Sequence, residues 1–120
     1  MAKGKRSLNV TIGEVLGNLL EQKGINPSKI VLFGSYAKNI ETEDSDIDLI
    51  IISRAFRDKS LFERVRLTTG IGRTLVKRFR KPFDLMFYSD VEWDQSCSPV
   101  IDAARKEGRI LHVTQTPSTT

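Results

Sequence analysis

Three aspartates and one Gly-Ser pair are the residues of this chain whose types and spacing could do chemistry. Gly34 and Ser35 follow a short apolar run, Asp46 and Asp48 open the next run, and Asp84 stands at the start of a third. Alternate residues of a strand face the same side, so Asp46 and Asp48 could direct both carboxylates at one or two divalent ions. Mg²⁺ takes few carboxylates and fills its shell with water and phosphate oxygens. We therefore predict a metal-dependent phosphate site.

Apolar patterning predicts the elements that must position these residues. Short β-branched runs predict strands at residues 30–33, 47–52 and 83–88, and a helical pattern over 60–79 joins the second strand to the third. Such a βαβ unit makes those two strands parallel, with a right-handed crossover. If the first strand is antiparallel to the second, the first strand ends at the same end of the sheet at which the other two strands begin. All of the candidate site residues would then meet at that end of the sheet.

Helix and turn signals predict the remaining elements. Thr11 and Glu14 form a capping-box pattern that would start a first helix, and Gly24 would end it. Gly70 and Gly72 are the weak point of the long helix. The other predictions are a helical turn at 35–38 closed by a left-handed Asn39, a loop or single turn at 89–96, a helix from Ser98-Pro99 to Gly108, and an edge strand at 109–113.

Length and composition favour one domain. With 120 residues, 39% of them hydrophobic, the chain can bury one modest core, and we predict a mixed α/β domain over 8–113 with disordered tails at 1–7 and 114–120. No apolar run approaches the roughly 20 residues that span a bilayer, so we expect a cytoplasmic protein without a membrane segment. Cys97 and His112 are the only cysteine and histidine, which excludes an internal disulfide, a structural zinc site and Ser/His catalysis.

The formal net charge is +4, and positive and negative residues are concentrated in different segments of the chain. Residues 54–81 hold ten Lys or Arg against Asp58 and Glu63, whereas residues 41–48 carry five acids. An acidic cluster that faces a basic wall suits a polyanionic substrate such as a nucleotide. A run of charge is also what an ordinary solvated helix face shows, so both interpretations of the basic segment stay open.

The motifs together resemble a known family. Gly34-Ser35, then ten residues, then Asp46-x-Asp48 and a later Asp84 on a strand are similar to the signature of the nucleotidyltransferase superfamily of DNA polymerase β, and in particular to its minimal nucleotidyltransferases. The resemblance covers the whole domain and implies the nucleotidyltransferase fold, a small mixed β-sheet flanked by helices. Asn39 departs from the family, in which many members carry Gly in the turn, although Asn tolerates a left-handed conformation.

This resemblance also implies roles for the site residues. Asp46 and Asp48 would hold two Mg²⁺ ions, with Mn²⁺ as a substitute, and Asp84 would hold the catalytic ion and help to activate the attacking hydroxyl. Gly34 and Ser35 would bind the phosphates of ATP or another NTP. The implied reaction moves AMP from ATP to a hydroxyl and releases pyrophosphate.

The resemblance further implies a protein partner. Many minimal members are encoded beside a helical HEPN-domain ribonuclease, and there the small protein is an antitoxin that binds its partner or transfers AMP to a tyrosine on it. Two other functions stay open. The chain could be a non-catalytic antitoxin that only occupies its partner's surface, or an RNA-binding module that uses the basic helix, although nucleic acid is not favoured.

Overall fold

The structure is a computed structural model that describes residues 4–113, and the side chains of residues 8–111. Its elements, in chain order, are α1 (Gly4–Gln22), β1 (Pro27–Phe33), α2 (Ser35–Lys38), β2 (Ile47–Ser53), a 3₁₀ turn (Arg54–Phe56), α3 (Leu61–Leu67), α4 (Ile71–Phe79), β3 (Phe83–Tyr88), α5 (Asp90–Asp94), α6 (Pro99–Glu107) and β4 (Arg109–Val113).

The strands form one mixed sheet in the order β3-β2-β1-β4. β2 runs parallel to β3, while β1 runs antiparallel to both β2 and β4. The parallel pair is joined through α3 and α4, because a parallel connection needs a crossover that returns the chain to the starting edge. The predicted strand directions and the predicted edge strand are confirmed, and the fold is the mixed α/β arrangement that the sequence indicated.

The two faces of the sheet are buried in two separate cores, which explains the continuous apolar sequence of β2. Ile47, Leu49 and Ile51 face the first core, whereas Ile50 and Ile52 face the second. The buried α-helix residues of the first core are Ile12, Leu16 and Leu20 of α1, Tyr36 and Ala37 of α2, and Ile71 and Leu75 of α4. Those of the second core are Trp93 of α5 and Ile101 and Ala104 of α6.

Helix α1 begins at Gly4, well before the predicted start at Thr11. The predicted cap at Thr11 is therefore wrong, and residues 4–7, predicted as part of a tail, begin the helix. Leu8 packs against the first core, so the apolar stripe reaches one turn further back than Ile12, and burial of that turn stabilises the helix across Thr11. Residues 1–3 and the predicted tail 114–120 lie outside the described residues.

The single helix predicted over 60–79 is wrong, because α3 and α4 are separate helices. Thr68 Oγ1 donates a hydrogen bond to the Arg64 carbonyl (3.0 Å) at the end of α3. Gly70, with a φ of 90°, then turns the chain in a left-handed conformation that an α-helix cannot contain. The break therefore falls at the position predicted as the weak point.

Two further differences from the sequence predictions are small. β1 starts at Pro27 rather than residue 30, where Pro27 stands opposite Ser53 of β2. The segment predicted as a loop or a single turn, 89–96, contains the short helix α5. No helix within residues 4–113 is long and apolar enough to span a membrane.

We expect Gly108→Ala to destabilise the fold and Gly17→Ala to stabilise it. A Cβ at Gly108 would stand 2.6 Å from both Ala104 O and Val31 Cγ1, so α6 and β1 would have to move apart, at a cost of about 1–3 kcal/mol. A Cβ at Gly17 meets nothing within 4 Å, and Ala gains about 0.5–1 kcal/mol over Gly within a helix. Urea unfolding measures both changes. If Gly108→Ala were as stable as wild type, that result would contradict the close packing of Gly108 against Ala104 and Val31.

Candidate active site

The predicted aspartates lie at one end of the sheet. Asp48, near the start of β2, stands opposite Phe33 at the end of β1 on one side and opposite Asp84 of β3 on the other. Asp46 comes just before β2 begins. At this end of the sheet, β1 ends and both β2 and β3 begin. The register of β2 with β3 brings Asp48 beside Asp84.

Asp48 and Asp84 also face the same side of the sheet. Two residues further along the two strands, Ile50 lies in the second core and Met86 packs against it, and alternate residues of a strand share a face. Asp48 is half-buried, whereas Asp84 is exposed. The two carboxylates therefore continue the face of the second core out to solvent.

Gly34 brings the turn after β1 against the Asp48 carboxylate. Its φ of 76° and ψ of −151° belong to a backbone region that is essentially open to glycine alone. A Cβ built at Gly34 would overlap Asp48 Oδ2. Glycine is thus needed for two reasons, the backbone conformation and the space that the carboxylate occupies.

Ser35 begins α2, a single helical turn beside this contact. The N–H groups of Ala37 and Lys38 donate to Gly34 O (3.1 and 3.2 Å), and those of Ser35 and Tyr36 are the first donors of the turn, which have no carbonyl within it. Asn39 closes the turn with a φ of 61°, which confirms its predicted left-handed conformation. The Ser35 end of the turn could receive phosphate oxygens next to Asp48.

Arg109 anchors the other end of α2, and the sequence analysis missed this role. Its Nε donates to the Ala37 carbonyl (2.8 Å), and Lys38 Nζ lies 3.1 Å from Glu107 Oε1. Both contacts tie the turn to the corner between α6 and β4. The only signal in the sequence was that Arg109 opens a predicted edge strand. The pairing of that strand with β1 is a property of the three-dimensional fold and was not predicted.

The acidic loop that delivers Asp46 is held by its own hydroxyl groups. The Thr42 N–H donates to Ser45 Oγ (2.8 Å), and the Asp44 N–H donates to Thr42 Oγ1 (3.3 Å). Such side chain to backbone bonds fix a polar loop without regular secondary structure. The loop therefore enters β2 in a defined conformation, with Asp46 beside the site.

Negative charge accumulates around Asp48. Partial burial is the largest cause that raises the pKa of Asp48 above its usual value, and repulsion by Asp84 and then Asp46 adds to it. A divalent cation would relieve the repulsion among these carboxylates. Within residues 4–113, no three Asp, Glu, His or Cys side chains are arranged so that they could hold a metal ion as they stand. The predicted metal-binding roles of the three aspartates remain predictions.

Comparison with models of known protein families identifies the family of this chain. The model of the nucleotidyltransferase domain family matches residues 12–111, a span that contains all five predicted site residues. The chain belongs to the nucleotidyltransferase domain family. Asp48 and Asp84 of this nucleotidyltransferase, together with the Gly34 turn, form its candidate active site. No match was found among the curated proteins.

Solved structures show the same fold as this nucleotidyltransferase. A proposed nucleotidyltransferase from Sulfolobus solfataricus is 20% identical with a TM-score of 0.53, and the match covers 92% of this chain and 89% of that one. A toxin–antitoxin structure with AMP-PNP is 24% identical with a TM-score of 0.59, over 86% and 74% of the chains. The complex of tri-AMPylated Shewanella oneidensis HEPN toxin with MNT antitoxin gives 23% identity and a TM-score of 0.53, over 91% and 73%.

We expect Asp48→Asn to stabilise the nucleotidyltransferase near neutral pH. The folded protein raises the pKa of Asp48 above the value of about 3.9 in an unfolded chain, so ionisation of Asp48 opposes folding. The penalty is complete above the folded-state pKa, shrinks as pH falls through it, and is absent below the unfolded-state value. Because water screens this half-exposed group, the gain should not exceed about 1 kcal/mol.

Urea unfolding near pH 7 and near pH 3 tests this expectation. Asp58→Asn is the matched control, because Asp58 is exposed and Asn tolerates its left-handed φ of 58°. The Asp48→Asn variant should gain stability only at the higher pH. A loss of stability near pH 7, or an equal gain at both pH values, would contradict the electrostatic account of the site.

Proposed function

We propose that this nucleotidyltransferase moves AMP from ATP, with Mg²⁺, to a hydroxyl group on a partner protein in the cytoplasm. The observation that carries the proposal is the contact of Asp48 with the Gly34 turn on one side and its pairing with Asp84 on the other. This arrangement sets the first N–H donors of a helical turn beside a pair of carboxylates. Phosphate and a divalent cation are the ligands that suit such a pair of neighbours.

The donor set suits Mg²⁺ with either one or two ions. Mg²⁺ is held by few carboxylates together with substrate phosphates and water, and the pairing of Asp48 with Asp84 supplies neighbouring carboxylates of this kind. Asp46 and Asp48 would hold the ions, and Asp84 would join them at the catalytic one. Bound Mg²⁺, or Mn²⁺ in its place, would neutralise charge on the triphosphate and make the acceptor hydroxyl more acidic.

The residues of the chain would share the remaining work of the reaction. The backbone of Gly34 and the hydroxyl of Ser35 would position the nucleotide phosphates against β2. The acceptor oxygen attacks the α-phosphorus, the bond from that phosphorus to the bridging oxygen breaks, and pyrophosphate leaves. Asp84 is the more exposed carboxylate of the pair, so it would accept the hydroxyl proton as the acceptor approaches from solvent.

The choice of AMP and of a protein acceptor rests on the structures that share the fold. One of them is a toxin–antitoxin structure with AMP-PNP, and another contains a tri-AMPylated HEPN toxin with its MNT antitoxin. By analogy, the partner of this chain would be a HEPN-type helical protein, and the chain would act as its antitoxin.

One alternative function has a specific observation in its favour. Leu61, Phe62 and Val65 of α3 are exposed apolar side chains, as expected of a surface that binds another protein. An antitoxin that only covers its partner would need this surface and would not need the aspartates. In that case Asp48→Asn would neutralise the partner as well as wild type does.

We expect Asp48→Asn and Asp84→Asn each to reduce transfer by at least about 100-fold, since each removes a charge that the transition state needs. Transfer is measured by the label carried from α-³²P-ATP to a purified HEPN-type partner in the presence of Mg²⁺. Asp58→Asn is again the control and should retain wild-type transfer. Circular dichroism would show whether the two active-site variants are folded. Transfer at the wild-type rate by folded Asp48→Asn would refute the enzymatic proposal.

A further inference from the structure

The carbonyl groups of Gly34 and of helix α2 after it find their hydrogen-bond donors in two ways. Those of Gly34, Ser35 and Tyr36 accept from backbone N–H groups three to five residues further along the chain. The Ala37 carbonyl accepts from the side chain of Arg109, whose Nε lies 2.8 Å away. Ala37 is 5% exposed, so water has little access to replace that donor. Arg109 therefore supplies a donor to the turn from a distant part of the chain.

Helix α2 is too short to keep its conformation without such contacts. It is a single turn of four residues, and the first turn of a helix costs more conformational entropy than its hydrogen bond returns. Its stability must therefore come from contacts with the rest of the fold. Tyr36 and Ala37 provide one of these contacts, because both are buried in the first core. The bond from Arg109 provides another, at the end of α2 away from Ser35.

A second contact joins α2 to the same corner of the fold, and it is the weaker one. Lys38 Nζ lies 3.1 Å from Glu107 Oε1, and the two side chains are 49% and 50% exposed. Exposed ion pairs contribute little, since water screens them and both side chains lose freedom. Arg109 donates from a charged group to the carbonyl of a buried residue, and such a bond is stronger. We therefore expect Arg109 to be the main anchor of α2.

Arg109 reaches α2 from the face of the sheet opposite to the carboxylates. It pairs with Leu32 across β4 and β1, and Leu32 lies in the first core, so the side chain of Arg109 leaves β4 on that face. Asp48 lies on the other face, which it shares with Ile50 of the second core. Arg109 is therefore placed to hold the turn and not to contact the reacting groups.

We propose that Arg109 is a positioning residue that sets the affinity of the site for the nucleotide phosphates. By holding the Ala37 carbonyl, it keeps the Gly34-Ser35 end of the turn against the Asp48 carboxylate. Without this bond the turn has to be ordered when the nucleotide binds, and that ordering lowers the affinity. The inference rests on the proposed function, which assigns Gly34 and Ser35 to the phosphates.

Amide hydrogen exchange of the protein without ligand tests whether Arg109 orders the turn. Arg109→Met keeps a side chain of similar length but removes its donors, so the Ala37 and Lys38 amides should exchange about tenfold faster than in wild type. Exchange of the Ile50 amide, within the sheet, should not change. Lys106→Met is the matched control, because Lys106 is an exposed cation of α6 and no bond joins it to α2 within the described residues.

Equilibrium binding of AMP-PNP with Mg²⁺ tests whether the ordered turn sets affinity. The Kd should rise about tenfold in Arg109→Met and recover in part in Arg109→Lys, because an ammonium group can donate to the same carbonyl. It should keep the wild-type value in Lys106→Met. In transfer from α-³²P-ATP, the KM for ATP should rise by the same factor in Arg109→Met, while kcat changes by less than about twofold.

Several results would overturn the inference while wild-type binding and transfer stand. Wild-type affinity of Arg109→Met for AMP-PNP would do so, whatever its exchange. Weaker binding with wild-type exchange would assign Arg109 to direct contact with the phosphates. An equal rise in exchange at Ile50 would assign it to overall stability, and so would a fall in kcat at unchanged KM. If the wild-type protein itself binds no AMP-PNP, the proposed function fails and the inference fails with it.

Discussion

The contact between the Gly34 backbone and the Asp48 carboxylate is the constraint on which the candidate site depends. It is possible only because β1 and β2 are antiparallel with Phe33 opposite Asp48, which puts the end of one strand at the start of the other. It also requires a residue without a Cβ in a conformation that other residues avoid. A shift of the register by one residue would turn Asp48 into the first core and remove the site.

The charges of this site destabilise the folded chain when no ligand neutralises them. Carboxylates that repel one another and are partly buried raise the pKa of Asp48, and the rest of the fold must offset that cost. The continuous apolar sequence of β2, buried on both faces, contributes to this compensation, because burial of apolar area stabilises the fold by about 25 cal/mol per Å². A bound cation would relieve this repulsion.

Much of this arrangement follows from local sequence. The apolar runs give the strands and the βαβ pattern gives their directions. The common face of Asp46 and Asp48 stays a prediction, because Asp46 precedes β2. Helix ends were less predictable, since core packing of Leu8 extends α1 past a good capping pattern at Thr11. The pattern Ser-x-x-Glu at Ser89 does start a helix, and it could have been recognised in the sequence.

Two long-range side-chain contacts could not be predicted from local sequence. Arg64 is one of ten cations in a basic segment, and nothing in its neighbours distinguishes it as the buried one that binds Phe87 and Glu92. The anchoring of α2 by Arg109 also joins residues that are far apart in the chain. Both contacts depend on the strand order, in which β3 and β4 are the two outer strands of the described sheet.

The claim that Asp46, Asp48 and Asp84 serve a metal–nucleotide complex is tested most directly by crystals soaked with Mn²⁺ and a non-hydrolysable ATP analogue. Anomalous scattering locates the metal without reference to activity. The account predicts a Mn²⁺ peak at Asp48 with Asp46 or Asp84, and nucleotide phosphates on the Gly34-Ser35 turn. Ordered nucleotide elsewhere on the protein, or Mn²⁺ bound away from these carboxylates, would contradict it.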